Sequence, residues 1–179
     1  MKKETTLKSG KKVQIEKAVK KDAKQLIEYV KQIADETNFL TFSSNEFLMT
    51  IEQEEMFIES MKKQENNLLL LAKIDNKIVG TITIASSQRA RIKHNGELAM
   101  SVKEEYWNTG IGSALMTNVL EWAKNNQITS KINLSVSVDN ENAIKLYKKF
   151  KFEIEGERKR FFKINGNYVN AIFMGLCLE

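Results

Sequence analysis

The sequence predicts an α/β fold in a single domain, a mixed and mostly antiparallel sheet flanked by helices. Three observations carry that prediction. Segments with apolar residues at every second position alternate with segments where they recur every third or fourth, the periods of strand and helix. Short polar turns, Asp75-Asn76 and Asn165-Gly166, join neighbouring strand-like segments into hairpins. No repeat, linker or shift in composition divides the 179 residues, a length that suits one domain with a sizeable core. Residues 1–179 therefore read as one unit.

Residues 1–11 are polar and Lys-rich, a loose arm or the lead into an edge strand. Over residues 12–17, Val13 and Ile15 alternate with polar neighbours, as in a short strand. Asp22 is positioned to cap a helix carrying Ala23, Leu26, Ile27, Val30 and Ile33. Residues 37–44 break that period with Phe39, Leu40 and Phe42, more apolar bulk than a solvent loop requires. Residues 43–64 read as a second helix with Phe47, Leu48, Ile51, Phe57, Ile58 and Met61 apolar. Asn66-Asn67 turns the chain into a strand over 68–74, and Asp75-Asn76 into the next over 77–85. Residues 86–95 form a polar link bearing Arg89, Arg91, Lys93 and His94.

Gly96 opens a strand over 97–102, with Leu98, Met100 and Val102 on one face and Glu97, Ala99 and Ser101 on the other. A helix starts near Asn108 or Thr109 and runs to about Asn125, with Ile111, Leu115, Val119 and Trp122 along one stripe. Residues 131–138 alternate as a strand. Asp139-Asn140-Glu141-Asn142 is a capping sequence, because Asx side chains accept free N–H groups and Glu141 suits the positive helix end. The helix after it carries Ala143, Ile144, Leu146, Tyr147 and Phe150 on one face. Two long strands, 152–164 and 167–178, close the chain.

Composition excludes several function classes. The net charge is +5, but 28 Lys and Arg are scattered among 23 Asp and Glu. No basic block or aromatic stripe of a nucleic-acid surface emerges, so no nucleic-acid partner is expected. The charge suits a small anionic ligand as well. The single cysteine, Cys177, falls in a terminal strand-like run and reads as a buried inert thiol. With one histidine, His94, no metal cluster is expected. The longest apolar run, residues 68–72, is too short to span a bilayer, and no apolar signal core follows Met1-Lys2-Lys3. No membrane partner and a cytoplasmic location are expected.

The stretch from Val102 to Leu115 carries the chemistry. A strand leads through a polar loop and two glycines, Gly110 and Gly112, into a helix. Free N–H groups at a helix start, and the dipole behind them, make a backbone anion site. The pattern Trp107-Asn108-Thr109-Gly110-Ile111-Gly112 resembles the acyl-CoA pyrophosphate loop of the GNAT superfamily of N-acetyltransferases, Arg/Gln-x-x-Gly-x-Gly/Ala, with Trp107 in place of Arg or Gln. Residues 140–152 resemble a second signature of that family, Asn-x-x-Ala-x-x-Leu-Tyr-x-Lys-x-Gly-Phe. Asn140, Ala143, Leu146, Tyr147, Lys149 and Phe152 match, while Lys151 stands where the family has glycine. Lys151 either accepts a left-handed backbone at about 1 kcal/mol or changes the turn. The two signatures and the element order span residues 97–178.

The resemblance implies the GNAT fold, an N-acetyltransferase activity and acetyl-CoA as co-substrate. The amides of Asn108, Thr109, Gly110, Ile111, Gly112 and Ser113 would hold the pyrophosphate. Trp107 occupies the position of a side-chain phosphate contact. Met100 and Val102 would offer backbone groups to the pantetheine arm, which lies like an added strand where two neighbouring strands part. Asn140 would bond the pantetheine or the facing backbone, a role compatible with plain helix capping. Phe39 and Phe42 either plug the core or form one wall of an acceptor pocket, as the link between the first two helices often does in this family.

Acetyl transfer to an amine needs a proton acceptor for the amine and a proton donor for the departing thiolate. It also needs a hydrogen-bond donor for the thioester oxygen, expected to be a backbone N–H near Met100. By the family position, Tyr147 is the expected acid; the alternative is a core tyrosine on the apolar face of its helix. Glu97 at the start of the central strand is the expected base, acting through water, unless it is merely a solvated carboxylate. The expected acceptor is a small-molecule amine. A protein amine, or a non-catalytic acyl-CoA-binding module of the same fold, are the alternatives. A homodimer is expected by family analogy alone.

Overall fold

The computed structural model describes residues 2–7 and 10–178; Met1, Lys8 and Ser9 of the expected N-terminal arm, and Glu179, lie outside the described residues. The strands are β1 (Lys2–Thr6), β2 (Lys12–Lys17), β3 (Leu68–Ile74), β4 (Lys77–Ser86), β5 (Asn95–Val102), β6 (Lys131–Ser137), β7 (Glu153–Ile164) and β8 (Asn167–Cys177). The helices are α1 (Ala23–Glu36), α2 (Ile51–Lys63), α3 (Ile111–Asn125) and α4 (Glu141–Lys149). The strands form one sheet in the order β1-β2-β3-β4-β5-β6-β8-β7. Neighbours are antiparallel except β5 and β6, which run parallel.

Each face of the sheet buries its own apolar cluster. Leu68, Leu70 and Ala72 of β3 join Ile111, Leu115 and Val119 of α3 on one face. Leu69 and Leu71 join Leu26, Tyr29 and Ile33 of α1 and Ile58 and Met61 of α2 on the other. This double coverage explains why β3 reads as an unbroken apolar run rather than an alternating one. Both hairpins form at the expected turns, with positive φ at Asp75, Asn76, Asn165 and Gly166.

The structure corrects three expectations and decides between the two readings of the N-terminal residues. The segment 43–64 is not one helix. A single 3-10 turn covers Ser44–Glu46, residues 47–50 are irregular, and α2 starts at Ile51. Two successive capping boxes make the break. Glu46 accepts from the Ser43 N–H at 2.7 Å, and Gln53 from the Thr50 N–H at 2.9 Å, so the second box starts a new helix. Asp22 precedes α1 without capping it by its side chain. Its carboxylate instead accepts from the Val19 N–H at 3.0 Å and from Lys73 Nζ at 2.7 Å. Residues 2–6 are an edge strand paired with β2 rather than a loose arm. Cys177 is exposed, because it ends β8 beyond the covered part of the sheet. Lys151 keeps the left-handed backbone, φ 66°, so the family's glycine turn survives without the glycine.

Candidate active site

The loop after β5 is built to leave backbone donors open. Asn108 and Gly110 both have positive φ, 60° and 105°. No atom lies within 4 Å of where a Cβ on Gly110 would stand, so glycine serves conformation there rather than space. The first bond of α3 runs from the Ala114 N–H to the Gly110 carbonyl at 2.9 Å. The N–H groups of Gly110, Ile111, Gly112 and Ser113 consequently have no partner among the described residues. Gly112 serves space. A Cβ on it would lie 3.1 Å from Leu146 Cδ2 and 3.8 Å from Met100 Cε. Trp107 is 39% exposed, and its Nε1 donates to the Val102 carbonyl at 2.7 Å, pinning the loop to the end of β5. Of the two Val102 backbone groups offered to a ligand by the sequence reading, the carbonyl is engaged by this indole.

Beside the loop, the sheet opens. β5 pairs with β6 only over Asn95–Glu97, matched with Lys131–Asn133, although both strands continue for several residues. From Leu98 to Val102 the edge of β5 turned away from β4 has no strand partner among the described residues. Met100 lies in this stretch. Asn140 caps α4, its Oδ1 accepting from the Ala143 N–H at 3.1 Å. Tyr147 is buried, with its ring 5.8 Å from that of Phe152. Burial pushes its phenol up to about 12, and no hydrogen-bond partner holds the hydroxyl among the described residues.

On the opposite face lies a cavity of about 270 Å³. Its floor is Thr81 and Thr83 of β4 with Ala99, Met100 and Ser101 of β5. Its walls include Leu26, Val30 and Ile33 of α1, Phe42 and Phe47 from the link, and Glu54 and Phe57 of α2. Met100 thus touches both regions, packing near Gly112 on one face and bordering the cavity on the other. Phe42 and Phe47 stack at 5.5 Å. Phe39 is 37% exposed and does not line the cavity. Beside the cavity, on the same side of the sheet, the Tyr29 hydroxyl of α1 and Ser101 Oγ of the floor are hydrogen-bonded at 2.9 Å, and burial raises the Tyr29 pKa.

The sequence profile of the acetyltransferase (GNAT) family matches residues 28–152. The chain belongs to this family. The L-amino acid N-acetyltransferase AaaT of Escherichia coli K12 is 43% identical over 105 residues, 59% of this chain and 65% of that protein, so the match spans just under two thirds of its length. The crystal structure of a GNAT-family acetyltransferase from Streptococcus pneumoniae is similar with a TM-score of 0.90 and 32% identity, covering 93% of this chain and 99% of that one. A Salmonella typhimurium structure solved with acetyl-CoA shares the fold at TM-score 0.82 and 14% identity, covering 93% and 94%.

Within this GNAT frame, the residues from Met100 to Ser113 gather around one opening, and Leu146 seats α4 against it beside Tyr147. Glu97 stands apart from the cavity lining. It is exposed, accepts from Asn133 Nδ2 at 3.3 Å, and lies one strand step, about 7 Å, beyond Ala99 on the same face. Sequence reasoning missed Glu54 and Phe47. The signal for Glu54 was a carboxylate at the i, i+4, i+7 spacing of the buried residues Ile58 and Met61.

Proposed function

We propose that the protein is an acetyl-CoA-dependent N-acetyltransferase acting on a small amine. The observation that carries this reading is the opening of β5 from β6 beside four unpaired N–H groups at the start of α3. Those residues fit an acyl-CoA. The amides of Gly110 to Ser113, with Asn108 before them, suit a pyrophosphate, whereas the Thr109 N–H already donates to the Tyr106 carbonyl at 3.4 Å; the bare edge of β5 at Met100 suits an amide-bearing arm laid like a strand. Asn140 has its amide Nδ2 left for the same arm while its Oδ1 caps α4. When bound, acetyl-CoA supplies an acetyl group activated as a thioester.

Tyr147 is the proton donor to the leaving sulfur in this reading. Burial keeps its hydroxyl protonated at neutral pH, and its open hydrogen-bonding capacity leaves it free to donate. The acceptor's proton passes to a carboxylate. Two carboxylates are candidates for it: Glu97, exposed at the start of β5 and outside the cavity lining, which would act through water, and Glu54, which lies in the lining itself. A cavity of about 270 Å³ with Phe42 in its wall suits a small molecule better than a protein surface.

A thermal-shift titration with acetyl-CoA, CoA and NADH tests the cofactor, and thiol release with a panel of amines tests the transfer. A ligand at a hundred times its dissociation constant adds about 2.7 kcal/mol. The reading expects a shift with both CoA species, none with NADH, and thiol release dependent on an amine. No shift at millimolar CoA would defeat it.

A further inference from the structure

Glu54 is 4% exposed, yet its carboxylate has neither a hydrogen-bond nor an ion-pair partner among the described residues, and it borders the cavity. A buried carboxylate normally has one, because an unpaired charge in an apolar site is costly. The contrast within the same protein is sharp. Asp22, 6% exposed on the same side of the sheet, is met by Lys73 at 2.7 Å. Glu54 faces a cavity instead, and it is the one ionisable side chain in that lining. Its setting is otherwise apolar and aromatic: Val30, Ile33, Phe42, Phe47 and Phe57. Two further features keep the group useful. It sits in the first turn of α2, where the helix dipole favours a negative charge. Burial raises its pKa, drawing its proton affinity closer to that of an amine.

We infer that Glu54 is the acceptor-binding group and proton acceptor of this site, and that the acceptor is a compact primary amine with an apolar or aromatic body and no carboxylate. This rests on the acetyltransferase reading above. An ammonium entering the cavity supplies the missing countercharge. Partial burial of the carboxylate narrows the gap between the ion pair and the neutral pair, so one proton moves from the ammonium nitrogen to a Glu54 oxygen and leaves an amine lone pair free. The amine nitrogen then attacks the thioester carbon and the carbon–sulfur bond breaks; Tyr147 protonates the leaving sulfur, and the second proton lost by the nitrogen restores Tyr147 through water. Glu54 returns the first proton to water once the product has left. An α-amino acid is disfavoured for the converse reason. Its carboxylate would share the cavity with Glu54, and no lining cation would offset the two like charges. The polar floor of Thr81, Thr83 and Ser101 is neutral, and Tyr29, bonded to Ser101, keeps its proton because burial raises its pKa.

The test uses matched acceptors, 2-phenylethylamine against L-phenylalanine and 3-methylbutylamine against L-leucine, with wild type, Glu54→Gln and Glu97→Gln. Wild type is expected to favour each amine over its amino acid by about 10-fold or more in kcat/KM. Glu54→Gln is expected to lower kcat/KM for the amines at least about 30-fold, the low end for losing one partner of a buried charge pair. It should leave the KM for acetyl-CoA unchanged and abolish the acidic limb of the pH profile. Glu97→Gln should retain that limb. Calorimetry of amine binding to the CoA-loaded protein separates this inference from the activity itself. If no acceptor releases thiol but Glu54→Gln abolishes amine binding, Glu54 recognition stands and the acetyltransferase reading falls. Preference for the amino acids, or unchanged turnover and amine binding in Glu54→Gln, would overturn the inference.

Discussion

Leu146 Cδ2 stands 3.1 Å from the point a Cβ on Gly112 would occupy. The first turn of α3 and the middle of α4 are therefore held at a spacing where a Cβ would be tight. Gly112→Ala should force the helices apart by a few tenths of an ångström. The helix propensity gained by alanine, about 1 kcal/mol, offsets much of the overpacking cost. Stability should consequently change by about 1 kcal/mol or less, while acetyl-CoA affinity falls about 10-fold. Calorimetric titration beside a urea melt separates the two effects; full affinity in the variant would refute the spacing argument.

Tyr147→Phe removes the hydroxyl of a buried side chain, one with no hydrogen-bond partner among the described residues, so little stability should be lost. If the hydroxyl donates to the leaving thiol, kcat should fall about 100-fold with the KM for acetyl-CoA unchanged. The pH dependence has a definite sign. The folded phenol titrates at about 12, above the ordinary value of 10.0. The folded state thus holds its proton more tightly, and this group's contribution to stability is full below pH 10 and declines towards pH 12. Alkaline melts of wild type should show that decline, and Tyr147→Phe should lack this component.

Lys73 joins Glu16 and Asp22, each at 2.7 Å, beneath α1. Lys73→Met leaves two carboxylates facing each other, one of them buried. A loss of about 3–5 kcal/mol is expected. The triple variant Glu16→Gln, Asp22→Asn, Lys73→Met should recover much of it, because no uncompensated charge remains. Chemical denaturation measures both; a triple variant no more stable than the single one would count against this account.

Lys151 holds φ at 66° after α4, where a Cβ is penalised. Lys151→Gly should raise stability by about 0.5–1 kcal/mol and leave turnover unchanged. A melting temperature that stays level or falls would mean the lysine side chain compensates the strain.

Features that depend on neighbours in sequence are legible from sequence. The Asn165-Gly166 turn, the Asn140 cap and the glycine loop before α3 all fall where expected, because each is set by a few consecutive residues. Features decided by packing are less so. The break at residues 47–50 escapes a reading of apolar spacing, since Phe47 supplies the expected apolar position while turning into the cavity wall. Phe39 and Phe42 look equivalent in sequence, and only the path of the link separates the wall residue from the exposed one. Glu54 is harder still, because a glutamate early in a helix is ordinarily solvated. β1 is short and polar, and its pairing with β2 fixes it as a strand.

Three residue pairs join β5 to β6, and they alone carry the sheet from its five N-terminal strands to its three C-terminal ones. Hydrogen bonding thus divides the sheet into two plates at a short seam, while one apolar cluster spans both beneath α3. A ligand seated in the notch between them acts as a clasp, and part of its binding energy then appears as cooperativity between the plates. Amides on the two sides should exchange with solvent at independent rates when the notch is open, and in step once it is bridged.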